Sequence, residues 1–175
     1  MPVLDCPKAY LIMLTIRTYE PADHPAVCEL FARSQRDFAQ GLEEPVEAYI
    51  QRSLAADLAD IPGHYLSHSG SHFWVADLDG QVKGMVAIEH HSDDEAELRR
   101  MSVATDARRQ GIGTRLLDTT ETFCRARGYQ RIFLTTVTQL QPAIAMYRKA
   151  GYQWQKEEAY GHFTVYHFLK ELDGS

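Results

Sequence analysis

Asp106-Ala107-Arg108-Arg109-Gln110-Gly111-Ile112-Gly113-Thr114 joins an extended run, Glu95 to Val103, to a long amphipathic run, Gly111 to Arg127. The chain therefore passes from strand to helix through a glycine-bearing turn. Such a turn leaves backbone N–H groups free at the helix start, and these together with the helix dipole favour an anion. Glycine lets the anion approach the backbone with no Cβ in the way. Arginine adds charge-assisted hydrogen bonds, and Arg99, Arg100, Arg108, Arg109 and Arg115 crowd this region.

Two anion-binding turns fail on specific residues. A phosphate-binding P-loop needs G-x-x-x-x-G-K-[ST], which is absent. A dinucleotide turn needs a third glycine where Leu116 stands, and it follows the first strand of a repeated βαβ series. Here the turn follows a fourth strand. In that strand Leu98, Met101 and Val103 are the apolar positions, and the step from 98 to 101 breaks period two, which predicts a bulge.

Working outward, Thr15 to Tyr19 reads as a first strand. Asp23 is the expected N-cap of a helix reaching about Gln40, and Pro45 to Leu58 is a second helix. Residues 59–71 read as loop, punctuated by Pro62, Gly63 and Gly70. Phe73 to Ala76 and Val82 to Ile88 form a hairpin across Asp79-Gly80. Beyond the helix that closes at Gly128, a strand runs from Ile132 to about Val137, and a helix opens at Pro142 and closes at Gly151. Strands at 152–155 and 163–168 complete the order β-α-α-β-β-β-α-β-α-β-β, one α/β domain without repeats.

The bulk numbers agree. A chain of 175 residues with 45% apolar composition fits one core. Its net charge of −6 disfavours broad binding to nucleic acid or an anionic membrane. No apolar run is long enough to span a bilayer, and the start of the chain does not read as a signal peptide. Cys6, Cys28 and Cys124 show no metal or redox spacing and read as inert thiols of a cytoplasmic protein. His64, His68 and His72 recur every fourth residue, but their glycine- and serine-rich surroundings read as loop, and no metal is expected.

The pattern that matches the turn is R/Q-x-x-G-x-G/A, here Arg108-x-x-Gly111-x-Gly113, preceded by Leu98-Arg99-Arg100-Met101-Ser102-Val103. Downstream, Ala143-Ile144-Ala145-Met146-Tyr147-Arg148-Lys149-Ala150-Gly151-Tyr152 fits A-I-x-x-Y-x-x-x-G-F/Y. On these segments and the element order, the chain resembles the GNAT superfamily of N-acetyltransferases. The resemblance implies a mixed, mostly antiparallel, splayed central sheet flanked by helices. It implies a single domain over residues 15–173, behind an N-terminal extension over 1–14.

It also implies acetyl-CoA as cosubstrate. Backbone groups of Met101, Ser102 and Val103 would meet the pantetheine arm. The segment Arg108, Arg109, Gln110, Gly111, Ile112, Gly113 and Thr114 would hold the pyrophosphate, and Tyr147 would protonate the leaving thiolate. The acceptor would be a primary amine of a small molecule or peptide, and a homodimer would follow by analogy.

Two positions depart from the family pattern. Leu134-Thr135-Thr136-Val137-Thr138 lacks the carboxylate many members carry in the fifth strand, so Glu97 becomes the first candidate base. Glu89, His90 and His91 stand behind it, and Tyr160 and His162 are further acceptor-side candidates. Leu140 replaces a frequent asparagine seven residues before the tyrosine. A non-catalytic acyl-CoA-binding sensor is the alternative reading: the absent carboxylate favours it modestly, and the retained Tyr147 counts against it.

Overall fold

The computed structural model describes residues 12–172. Seven strands form one sheet: β1 (Leu14–Thr18), β2 (His72–Leu78), β3 (Gln81–His90), β4 (Glu95–Val103), β5 (Arg131–Val137), β6 (Gln153–Tyr160) and β7 (Phe163–Glu171), ordered β1-β2-β3-β4-β5-β7-β6. Every neighbouring pair is antiparallel except β4 and β5. The helices are α1 (His24–Arg36), α2 (Glu43–Ala55), α3 (Ile112–Arg127) and α4 (Gln141–Lys149). The mixed, mostly antiparallel fold that the resemblance implies is the one observed.

Successive strand residues point to opposite faces, and the sheet has a hydrophobic core on each. Trp74, Ala76, Val86 and Ile88 pack with Ile112, Leu116 and Ile144 under α3 and α4. Phe73, Val75, Met85 and Ala87 pack with Val27, Phe31, Val46 and Ile50 under α1 and α2. With both faces covered, β2 and β3 read as nearly continuous apolar runs. Each fully buried Val, Leu, Ile, Phe or Met side chain among them contributes about 1.5–3 kcal/mol.

Three expectations are corrected. Asp23 stands at the N-cap position of α1, as expected, but its side chain makes no capping hydrogen bond. Its carboxylate instead accepts two hydrogen bonds from Arg17, at 2.8 and 2.9 Å, and one from the Glu20 N–H. Residues 59–71 are not plain loop: a 3₁₀ turn at Asp57–Ala59 leads to a π-helical turn at Pro62–Leu66. The buried side chains of Leu58, Ile61 and Tyr65 anchor this segment beneath the sheet, which local glycines and prolines could not reveal. Finally, β6 runs to Tyr160 rather than stopping at 155. All eight of its residues are exposed, so it shows no alternation, and its pairing with β7 alone defines it. The proposed extension falls largely outside the described residues; Met13 donates its N–H to Asp79 at the start of the sheet.

Candidate functional site

The parallel pair β4·β5 joins only at Glu95↔Arg131, Ala96↔Ile132 and Glu97↔Phe133. Past Glu97 the two strands diverge. The cause lies on the other side of β4. Met85 pairs with Ser102 and Ala87 with Arg99, so β4 carries a bulge at Arg100 and Met101. Arg100 has φ 57°, a left-handed conformation that a non-glycine residue adopts only when its surroundings hold it.

Those surroundings are explicit. The Arg100 guanidinium donates to both oxygens of Asp57, at 2.9 and 2.5 Å, and also to Tyr49 and Ser53 of α2. It lies 5.0 Å from the centre of the Phe31 ring. Tyr65 donates to the same Asp57 carboxylate at 2.5 Å. Both members of the ion pair are almost fully buried, at 5% and 4% exposure. Burial raises the Asp57 carboxyl, but the Arg100 and Tyr65 hydrogen bonds outweigh it and hold the group below the usual carboxylate range. The π-helical turn therefore helps to fix the bulge.

A cleft of about 980 Å³ fills the wedge and passes through the sheet. Leu98, Leu134, Ala143 and Tyr147 line it from the α3–α4 face. Arg99, Tyr49, Glu158 and His167 line it from the α1–α2 face. Glu97, Met101, Ser102, Tyr160 and His162 also reach its wall. Glu97 is half-buried, and burial, with Glu89 nearby, raises its carboxyl above the ordinary value against the pull of Arg99. Tyr147 is buried at 5% exposure, has no side-chain hydrogen bond among the described residues, and is pushed well above the usual tyrosine value by burial.

The helix-start turn flanks this wedge. A Cβ placed on Gly113 would stand 2.6 Å from the Met146 sulfur and 3.6 Å from the Met101 methyl, so the turn touches both α4 and the bulge. Arg109 and Gly111 have φ 62° and 77°. The first helical hydrogen bond runs from the Arg115 N–H to the Gly111 carbonyl. The N–H groups of Arg109, Gln110, Gly111, Ile112, Gly113 and Thr114 have no partner among the described residues. A Cβ on Gly111 would meet nothing within 4 Å, so the turn is open at that residue. An anion of phosphate size fits such a cradle. The Arg108 side chain is not aimed there: it folds back to the Val103 carbonyl and the Asp37 carboxylate.

Other candidates are dispersed. His64 bonds Glu89, which Arg99 also engages; His68 stacks on His90; His72 bonds Thr18. His90 bonds Tyr129 and His91 packs edge-on against Phe133, so neither reaches the cleft wall. No group of three or more His, Cys, Asp or Glu side chains placed to hold a metal is found among the described residues. Cys124 is buried and its thiol pushed up to about 12, while Cys6 lies outside the described residues. No helix among the described residues is long and apolar enough to cross a membrane. Sequence reasoning missed Glu158 and His167. The alternation of Phe163, Val165 and His167 along β7 was the signal available for the latter.

The splayed sheet, the bulged β4 and the donor-rich turn sit together in one region of the fold. The sequence model of the Acetyltransferase (GNAT) family matches residues 26–152, and the chain belongs to that family. It is 34% identical over 137 residues to the probable N-acetyltransferase camello of Xenopus tropicalis, an alignment covering 73% of this chain and 63% of that one. It is likewise 34% identical over 147 residues to N-acetyltransferase 8 of Homo sapiens, covering 76% of this chain and 63% of that one. The chain thus spans somewhat under two thirds of the length of these relatives. Its fold is similar to that of the PaiA N-acetyltransferase of Thermoplasma acidophilum in complex with coenzyme A, with a TM-score of 0.74, 19% identity, and coverage of 91% and 99% of the two chains.

Proposed function

We propose that this chain transfers an acetyl group from acetyl-CoA to a primary amine of a small molecule or peptide. One observation carries the reading. The wedge between β4 and β5 opens at Glu97, and a cradle of unpartnered N–H groups flanks it at Arg109 to Thr114.

The pyrophosphate sits on that cradle. The unpaired edge of β4, Met101 to Val103, receives the pantetheine arm as a strand would and brings the thioester into the wedge. The acetyl carbonyl faces a backbone N–H of the bulge, which stabilises negative charge as it develops on oxygen. The amine enters from the α1–α2 face as an ammonium and loses its first proton to Glu97. Nitrogen then bonds to the carbonyl carbon. When the C–S bond breaks, Tyr147 protonates the sulfur; burial keeps the phenol protonated until the thiolate forms. Separate doors for donor and acceptor follow from a cleft that crosses the sheet.

Calorimetry with acetyl-CoA and thiol release across an amine panel test the proposal. Binding is expected in the wild type. Tyr147→Phe is expected to keep that binding and lose about a hundredfold in kcat, the scale of a general acid. A wild-type chain that does not bind acetyl-CoA overturns the proposal.

A further inference from the structure

Thr135 of the fifth strand lines the cleft and is no carboxylate, and a titratable residue stands beside it. His167 of β7 is the direct cross-strand partner of Thr135. Directly opposed residues project from the same face of a sheet. Thr135, His167 and Glu158 all line the cleft. The His167 Nε2 lies 2.9 Å from Glu158 Oε2 on β6. A carboxylate only accepts, so Nε2 carries the proton and donates it, which leaves Nδ1 with its lone pair free in the neutral ring. Nδ1 has no partner among the described residues. Glu158 is itself steadied by Lys156 at 3.4 Å, and Lys156 first and His167 second hold its carboxyl below the usual range.

Position along the wedge separates His167 from Glu97. Glu97 pairs with Phe133 at the last joined step of β4 and β5. His167 pairs with Thr135, two residues further along β5, where the strands have already parted. Two strand spacings and two residues of rise set the Cα atoms roughly 12 Å apart. Glu97 thus stands at the closed end of the wedge and His167 beside its open part, level with the bulge. The His167 side chain is 26% exposed, so a proton it takes up has a path to solvent.

We infer that His167, oriented by Glu158, is a further catalytic residue of this site: its Nδ1 takes the second proton from the amine nitrogen as that nitrogen bonds to the acetyl carbon. The inference rests on the acetyl-transfer reading. An ammonium acceptor gives up two protons in becoming an amide. Glu97 takes the first. Attack of the neutral amine forms the C–N bond and leaves a positive nitrogen in the tetrahedral adduct. His167 removes that second proton, and the imidazolium pairs with Glu158. The C–S bond breaks, sulfur takes the Tyr147 proton, the tyrosine regains one from His167 through water, and Glu97 releases its own to solvent. The balance is ammonium plus acetyl-CoA giving amide, coenzyme A and one proton. Glu158 touches no reactant and is a positioning residue.

Charged and titratable groups lining the same cleft include Arg99 and Glu97 from β4, Glu44 and Arg52 from α2, Tyr160 at the end of β6 and His162 in the following turn. The experiment compares wild type, His167→Gln, Glu158→Gln and Glu158→Asp by thiol release with the best amine of a panel, alongside acetyl-CoA calorimetry. His167→Gln is expected to lower kcat at least a hundredfold with acetyl-CoA binding and the amine KM unchanged. Glu158→Gln removes the acceptor that orients the ring, so kcat is expected to fall by less than in His167→Gln with the amine KM unchanged, and Glu158→Asp is expected to recover part of it. An active wild type whose His167→Gln variant keeps a third of its rate, or whose Glu158→Gln variant keeps its full kcat, overturns the dyad alone. A chain that turns over no amine on the panel overturns the acetyl-transfer reading, and the dyad with it.

Discussion

The two faces of the cleft are built by different means. On the proposed donor side the groups are backbone N–H donors, presented beside the cleft by Arg109 to Thr114 because Arg109 and Gly111 adopt positive φ and α3 begins at Ile112. On the acceptor face they are side chains drawn from separate elements: Arg100 held by Asp57, Arg99 by Glu89, His167 by Glu158. A backbone cradle can be emptied of ligand without loosening the fold. A side-chain network that also fixes a strained bulge cannot.

The buried pair gives the largest expected effect. Asp57→Asn leaves Arg100 at 5% exposure without its counter-charge, and breaking such a pair by removing one partner costs about 3–5 kcal/mol. Urea denaturation is expected to show that loss at neutral pH. The pH dependence has a definite sign. The folded Asp57 carboxyl titrates below its unfolded value of about 3.9. Its stabilisation is therefore present above pH 4 and disappears as pH falls through the folded value. The wild type and Asp57→Asn should converge in strong acid; a gap of equal size at pH 3 and pH 7 would contradict this origin.

Gly111→Glu is the donor-face counterpart. Its Cβ meets no atom within 4 Å, so the substitution costs only the strain of a left-handed φ, about 1–2 kcal/mol. The added carboxylate, however, stands in the cradle and repels a pyrophosphate. Calorimetry is expected to show acetyl-CoA binding weakened at least a hundredfold, about 2.7 kcal/mol, while the chain stays folded. A variant that binds normally would remove the turn from the site.

The same division explains what the sequence made legible. The turn, α3, α4 and the β2–β3 hairpin are local: periodicity, Gly128 and Gly151 as helix ends, and Asp79-Gly80 as a turn are all written within a few residues. Even the β4 bulge shows as a broken alternation at Leu98 and Met101. The acceptor face depends on partners far away in the chain. Arg100 meets Asp57 across 43 positions, and Arg108 meets Asp37 across 71. Nothing near Tyr65 announces that its hydroxyl ends on Asp57 and winds residues 62–66 into a π-helical turn. His167 became visible only when the β5–β7 register set it against Thr135. Capping shows the same limit: Asp23 has the right residue type, but Arg17 claims its carboxylate.

Glu97→Gln gives the smallest effect on the fold and separates chemistry from architecture on the acceptor face. Burial raises the Glu97 carboxyl above its unfolded value of about 4.3. For an acid raised in this way, the stabilising contribution is complete below the unfolded value and is lost as pH climbs through the folded one. The wild type should therefore match the glutamine variant near pH 3 and be the less stable of the two at pH 7. Turnover is expected to move the other way, falling in Glu97→Gln because the amide cannot take a proton from the ammonium. A residue that weakens the fold at the pH where it works is maintained by its chemistry, in contrast to Asp57, whose charge serves the fold. Thermal denaturation at the two pH values, set beside thiol release, measures both halves. If Glu97→Gln were less stable at pH 7, Glu97 would be acting as a structural counter-charge to Arg99, and its place in the proton path would fall.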